Sequence, residues 1–170
     1  MTAIDYKTIQ SNAYDNIYSI LNTRTNVKDP RSVTNTNNRT FVHNSDPEDK
    51  ALDFNEYPYI VLLFATVMKD KPTNDGKVME VSWTQRMIIR CARDGSSNSV
   101  RNIGRTDFLN ICDDLHQTFT DLTIRQTLTD NNIRNVKINQ ITNTQVSIND
   151  ITVYESEYEL TFKTRLTVSA

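Results

Sequence analysis

Residues 158–168 alternate strictly in polarity. Tyr158, Leu160, Phe162, Leu166 and Val168 point one way, with Thr164 the one small interruption, and Glu157, Glu159, Thr161, Lys163, Arg165 and Thr167 point the other. Successive side chains leave a strand from opposite faces, so the pattern predicts a long β-strand with one dry face and one charged face. At ~3.3 Å per residue the run spans roughly 36 Å, about twice the common strand length.

The rest of the chain divides by the same reading. Ile4, Ile9, Ala13, Ile17, Ile20 and Leu21 recur at helical spacing and predict an opening helix, with Thr2 or Asp5 as its cap. Residues 22–55 carry almost no apolar pattern, two Asp-Pro pairs and the polar run 34–38. A polar stretch of that length inside one domain predicts a loop that a partner orders, and Phe41 and Val42 are its natural anchor. Residues 57–68 read as a strand apolar on both faces, hence central or covered on its second side. A turn containing Pro72 and Asp75-Gly76 leads into a second strand, 78–93. Its Val81, Trp83, Met87, Ile89 and Cys91 share one face, and Glu80, Ser82, Thr84, Arg86 and Arg90 share the other. The short connection predicts an antiparallel hairpin.

After a second polar loop, 94–104, a helix over 106–119 presents Phe108, Ile111, Cys112, Leu115, Phe119 and Leu122 as its stripe. Ile124 and Leu128 continue that stripe or begin a short extra turn, and Asn131-Asn132 ends it. Val136, Ile138 and Gln140 open a third strand, and a hairpin through Asn149-Asp150 enters the last one. The order helix-strand-strand-helix-strand-strand predicts an α+β domain. In it an antiparallel or mixed sheet of about four long strands carries two helices on one face. No internal repeat or linker divides the 170 residues, so a single domain is expected.

Composition narrows the function. A formal net charge of −2 and dispersed basic residues leave no electrostatic footprint for nucleic acid or an anionic membrane. The N-terminal segment has no basic, apolar signal pattern, and the longest apolar run, 60–65, is too short to span a bilayer. A soluble cytoplasmic protein is the default expectation. Cys91 and Cys112, the two cysteines, fall on apolar faces beside Ile89 and Ile111 and read as buried reduced thiols.

Candidate chemistry is sparse. His43 and His116 have no Ser or Cys beside them, and Asp113-Asp114 are helix neighbours that do not face each other. Metal-ligand spacing is absent, and the three glycines make no phosphate loop. No enzyme activity, cofactor or metal is expected. The remaining constellation is Glu155, Glu157 and Glu159 on one strand face, with Arg86 and Arg90 as cross-strand partners. It reads as a solvated sheet face or as a charged subunit interface.

Taken together, the leading helix, the long connection, the hairpin opening with Tyr57-Pro58-Tyr59-Ile60-Val61, the helix 106–119 and the closing strand 158–168 resemble the tail terminator proteins of long-tailed bacteriophages. The resemblance covers most of the chain and is one of pattern, without a specific motif. It implies a virion structural protein of the tail or neck, made in the host cytoplasm. Its subunits form a hexameric ring that ends the tail tube and offers a surface for head–tail joining. The implied partners are copies of the chain, the tail tube protein and a head–tail connector protein, with no membrane and no sequence-specific nucleic acid. The competing readings are another phage neck or connector subunit, a cellular ligand- or nucleic-acid-binding module, and a small hydrolase. The candidate interface residues are Arg86, Arg90, Glu155, Glu157, Glu159, Phe41 and Val42.

Overall fold

A computed structural model describes residues 6–23, 41–43, 59–72, 78–93, 105–148 and 151–167. Helix α1 (Tyr6–Thr23) is followed by strands β1 (Phe41–His43), β2 (Tyr59–Leu62), β3 (Thr66–Pro72) and β4 (Val78–Arg93). Helices α2 (Arg105–Thr120) and α3 (Leu122–Asp130) precede β5 (Arg134–Ile148) and β6 (Ile151–Thr167). The fold is α+β, with one six-stranded sheet in the order β1-β2-β4-β6-β5 and β3 pairing β4 beyond the end of β2. Every pairing is antiparallel except the short parallel contact of β1 with β2.

The predicted strand over 57–68 is interrupted. Residues 63–65 leave the ladder, so β2 and β3 both pair with β4 on either side of the break. Carbonyls freed inside a fold must be satisfied. Here two glutamine side chains do it: Gln85 Nε2 donates to the Leu63 carbonyl at 2.8 Å, and Gln10 Nε2 on α1 donates to that of Ala65.

The third helix has an equally local cause. Asp121 adopts an extended backbone between α2 and α3, and its carboxylate accepts from Thr123 N at 2.8 Å and Ile124 N at 3.1 Å. That is an N-cap, and it starts a new helix after the break. The expected stripe is rotated by the restart: Leu122 is 82% exposed, while Leu128 enters the core. Asn132 closes α3 at φ 63°, a left-handed conformation that asparagine tolerates better than most residues. Its side chain then donates from Nδ2 to Arg165 O at 2.6 Å and accepts from Arg165 N at 3.1 Å, lengthening the sheet edge beyond β5.

All three helices pack on one face. Ile17 and Leu21 of α1, Phe108, Ile111, Leu115 and Phe119 of α2, and Leu128 of α3 meet Trp83, Met87, Ile89, Leu160 and Phe162 in one continuous core. The apolar alternation of β4 and β6 supplies that face, as the sequence pattern predicts. Both faces of β2 are buried, also as predicted. Ile60 and Leu62 join the main core, and Tyr59 and Val61 join Val153 in a small second cluster on the opposite side. The expected loops 94–104 and 149–150 lie outside the described residues, as does most of 22–55. Of that stretch, 22–23 end α1 and 41–43 form β1.

Candidate interaction surface

The longest unbroken feature is the β4–β6 ladder, in register from Val78↔Thr167 to Arg93↔Thr152. Its face away from the helices carries charge, and antiparallel pairing makes that charge complementary. β4 has an acid near its start and bases near its end, and β6 has three acids first and two bases later. Arg90 Nε donates to Glu155 Oε2 at 2.6 Å, directly across the pair. Arg86 binds Glu157 diagonally. At the other end Glu80 takes Lys163 and, at 3.5 Å, Arg165. Its carboxyl is held below the usual carboxylate range, chiefly by the hydrogen bond from Lys163.

Burial separates these pairs. The Arg86 side chain is 56% exposed, whereas that of Arg90 is 4% exposed and also donates from Nη1 to the Tyr59 hydroxyl at 3.2 Å. The Arg90 guanidinium lies 6.0 Å from the centre of the Tyr59 ring. The two arginines that look equivalent in sequence do different things: Arg90 ties the second apolar cluster to the ladder, and Arg86 lies on the surface. Glu159 stands opposite Arg86 and Asn139 and makes no ion pair among the described residues. Phe41 and Val42 pair through their backbone with Tyr59 and Ile60 of the same chain, so their visible anchor is intramolecular.

The helix-side face holds the polar groups that periodicity did not announce. Trp83 Nε1 donates to Thr164 Oγ1 at 2.9 Å inside the core, so the residue that interrupts the apolar run of β6 is the acceptor for the one tryptophan. Ser156 is fully buried beside a bulge in β5, where its hydroxyl donates to Thr142 O at 2.9 Å and accepts from Gln140 Nε2 at 2.7 Å. The Tyr158 hydroxyl donates to Cys112 O at 3.4 Å. Burial pushes the Tyr158 phenol and the Cys112 thiol upward, so both stay protonated. Gln85, Thr164 and Ser156 share a sequence signal: each is a polar residue in the apolar phase of a long strand.

Cys91 and Cys112 are buried and unbridged, and His116 is exposed on α2. Asp113 accepts from Gln117 one helical turn away. Among the described residues no group of three His, Cys, Asp or Glu side chains is placed to hold a metal ion, and no helix is long and apolar enough to cross a membrane. In comparisons with known proteins, no family model and no curated protein matches the chain.

Proposed function

We propose that the chain is a structural subunit of a phage tail, of the tail terminator kind. Copies form a ring, hexameric by the resemblance, that ends the tail tube and meets the head–tail connector. The observation that carries the reading is the sheet itself: long strands with helices on one face only, an ion-paired ladder on the other, and two dissimilar edges. Among the described residues the sheet ends at β5 on one side, and on the other it carries β2 and the short β1 along one part of β4 and β3 along the rest.

Those edges fit head-to-tail joining. β3 is antiparallel to β4, β4 to β6 and β6 to β5, so β3 and β5 run in opposite directions. A copy that continues the sheet with its helices on the same side brings an antiparallel β3 against β5. Heterologous contacts of this sort close into rings, and strand addition at an open edge supplies their backbone hydrogen bonds. Five of the six exposed large apolar side chains among the described residues sit accordingly: Phe64, Val67 and Met68 on the β3 side, Leu122 and Ile141 on the β5 side, with Leu109 on α2 the exception. A two-fold β5–β5 pair would leave the first group uncovered.

Native mass spectrometry and electron microscopy of the purified chain, alone and with tail tubes, test the proposal. The expected result is a closed ring, with six copies on the tube end. A chain that stays monomeric in every one of these settings overturns it. Glu157→Lys sets like charges side by side, beside an Arg86 side chain that is 56% exposed. It is expected to lower ring yield while leaving the monomer's thermal unfolding within a few degrees of wild type.

A further inference from the structure

A cavity of about 560 Å³ is lined by residues of β3, β4, β6, α3 and the edge strand β5, with Trp83, Val136 and Phe162 of the core among them. Ser82 and Thr161 line it with hydroxyls, Met68 supplies an apolar wall, and Lys137, Lys163 and Arg125 bring three cations to it. No carboxylate is among its lining residues. On a chain of net charge −2 this is a local reversal of sign.

The backbone of β5 is distorted at the same place. The register shifts between Arg134 and Lys137, and Asn135 holds φ 53°. A bulge in an edge strand re-aims side chains, and left-handed backbone at a non-glycine residue costs energy that functional sites tolerate. The shift puts Lys137 opposite Thr161. Arg125 reaches the bulge from α3, spending one donor on Val136 O at 2.8 Å. The planar guanidinium has five donors, so others remain. Lys163 shares its charge with Glu80, while Lys137 is exposed and makes no ion pair among the described residues.

We propose that this cavity binds a phosphate-bearing organic ligand. Its phosphoryl oxygens take Lys137, Arg125 and the Ser82 and Thr161 hydroxyls, and its carbon skeleton lies against Met68. Three cations beside hydroxyl donors suit a phosphoryl group. The volume is that of a small-molecule site and far exceeds what an ion fills. The inference goes beyond the ring assignment and does not rest on it.

The test is titration of the ¹⁵N-labelled chain with adenosine monophosphate, and in a second arm with a short DNA duplex, at low and moderate salt. Saturable shifts centred on Ser82, Lys137 and Thr161, weakening with salt, are expected. Lys137→Glu is expected to weaken binding at least about tenfold, with Lys137→Gln weakening it less and Lys7→Glu on α1 not at all. Binding of the mononucleotide with that pattern supports a free organic phosphate, and binding of the duplex alone with the same pattern supports a polymer phosphate as the source. The proposal is overturned if neither ligand gives saturable shifts there. It is equally overturned if Lys137→Glu, folded by circular dichroism, binds like wild type.

Discussion

Neutralising Glu155 is expected to destabilise the chain far more than neutralising Glu157, two residues away on the same face. Glu155→Gln keeps the shape of the side chain and an accepting oxygen, so the change is mainly one of charge. It takes the carboxylate from a guanidinium whose side chain is 4% exposed and which also touches the Tyr59 hydroxyl and ring. Breaking a buried ion pair on one side costs ~3–5 kcal/mol, and a hydrogen bond to a charged group is worth ~1.5–3 kcal/mol. Glu155 itself is 21% exposed, so some of the charge interaction is already screened and the lower range applies: about 2–3 kcal/mol.

Arg90→Met is expected to cost less, about 1–2 kcal/mol, because the carboxylate left behind reaches water and methionine refills the space. Glu157→Gln releases an arginine that is 56% exposed and is expected to cost under about 0.5 kcal/mol. Urea unfolding followed by circular dichroism measures all three. For a chain of this size about 1 kcal/mol corresponds to roughly 2–4 °C in Tm, so Glu155→Gln should melt ~4–12 °C below wild type. Equal losses for Glu155→Gln and Glu157→Gln would refute the burial argument, as would a loss at Glu155 that half-molar salt abolishes.

Thr164→Val removes the acceptor of the buried Trp83 indole N–H and is expected to cost ~1–3 kcal/mol with altered tryptophan fluorescence; an unchanged unfolding midpoint counts against it. Cys112 should resist iodoacetamide in the folded chain at pH 8, since burial disfavours its thiolate. Rapid stoichiometric labelling without unfolding contradicts that placement. The raised Tyr158 phenol makes the folded chain keep a proton that the unfolded chain releases above about pH 10. Stability should therefore be intact below that pH and fall as pH climbs beyond it. Tyr158→Phe should flatten the fall, and an identical alkaline profile in the variant would exclude the assignment.

Period-two alternation, over sixteen residues in β4 and eleven in the closing run of β6, is a strong signal because burial of one face enforces it, so both strands and the helix-covered side are legible in the sequence. So is the pairing of Arg86 and Arg90 with acids of the 155–159 set, since it needs only antiparallel neighbours of equal phase, although Glu159 of that set makes no ion pair among the described residues. The break at 63–65 was not readable. The run 60–65 is uniformly apolar, and its interruption depends on Gln85 and Gln10, which come from elements distant in sequence. Leu122 was misassigned to the stripe because Asp121, an ordinary surface residue by composition, acts as a cap and restarts the helix. The unequal burial of Arg86 and Arg90 was equally hidden, since it follows from Tyr59 lying beside one and not the other.

The charged ladder also shows which part of the sequence sets the register. A one-residue slip of β6 against β4 would turn every core side chain outward, so it is forbidden. A two-residue slip keeps the faces, and among the charges only the buried Arg90–Glu155 pair resists it, since Arg90 would then stand opposite Val153. Slipped in one direction, Arg86 stands directly opposite Glu157 and Glu80 opposite Lys163, both of which already pair diagonally. Repeated acids at 155, 157 and 159, and bases at 163 and 165, make the outer face nearly degenerate at that spacing. The core face is not degenerate. The same slip moves Trp83 from Phe162 to Leu160, loses the 6.4 Å ring stack, and carries the indole N–H away from Thr164 toward the phenyl ring of Phe162. An unsatisfied buried donor costs about 1–3 kcal/mol, comparable to several exposed ion pairs at ~0.2–1 kcal/mol each. Register in this sheet thus rests on Thr164 in an apolar run and on the buried Arg90–Glu155 pair, while the exposed charges are left to act at the surface, where a second copy or an anionic ligand can meet them.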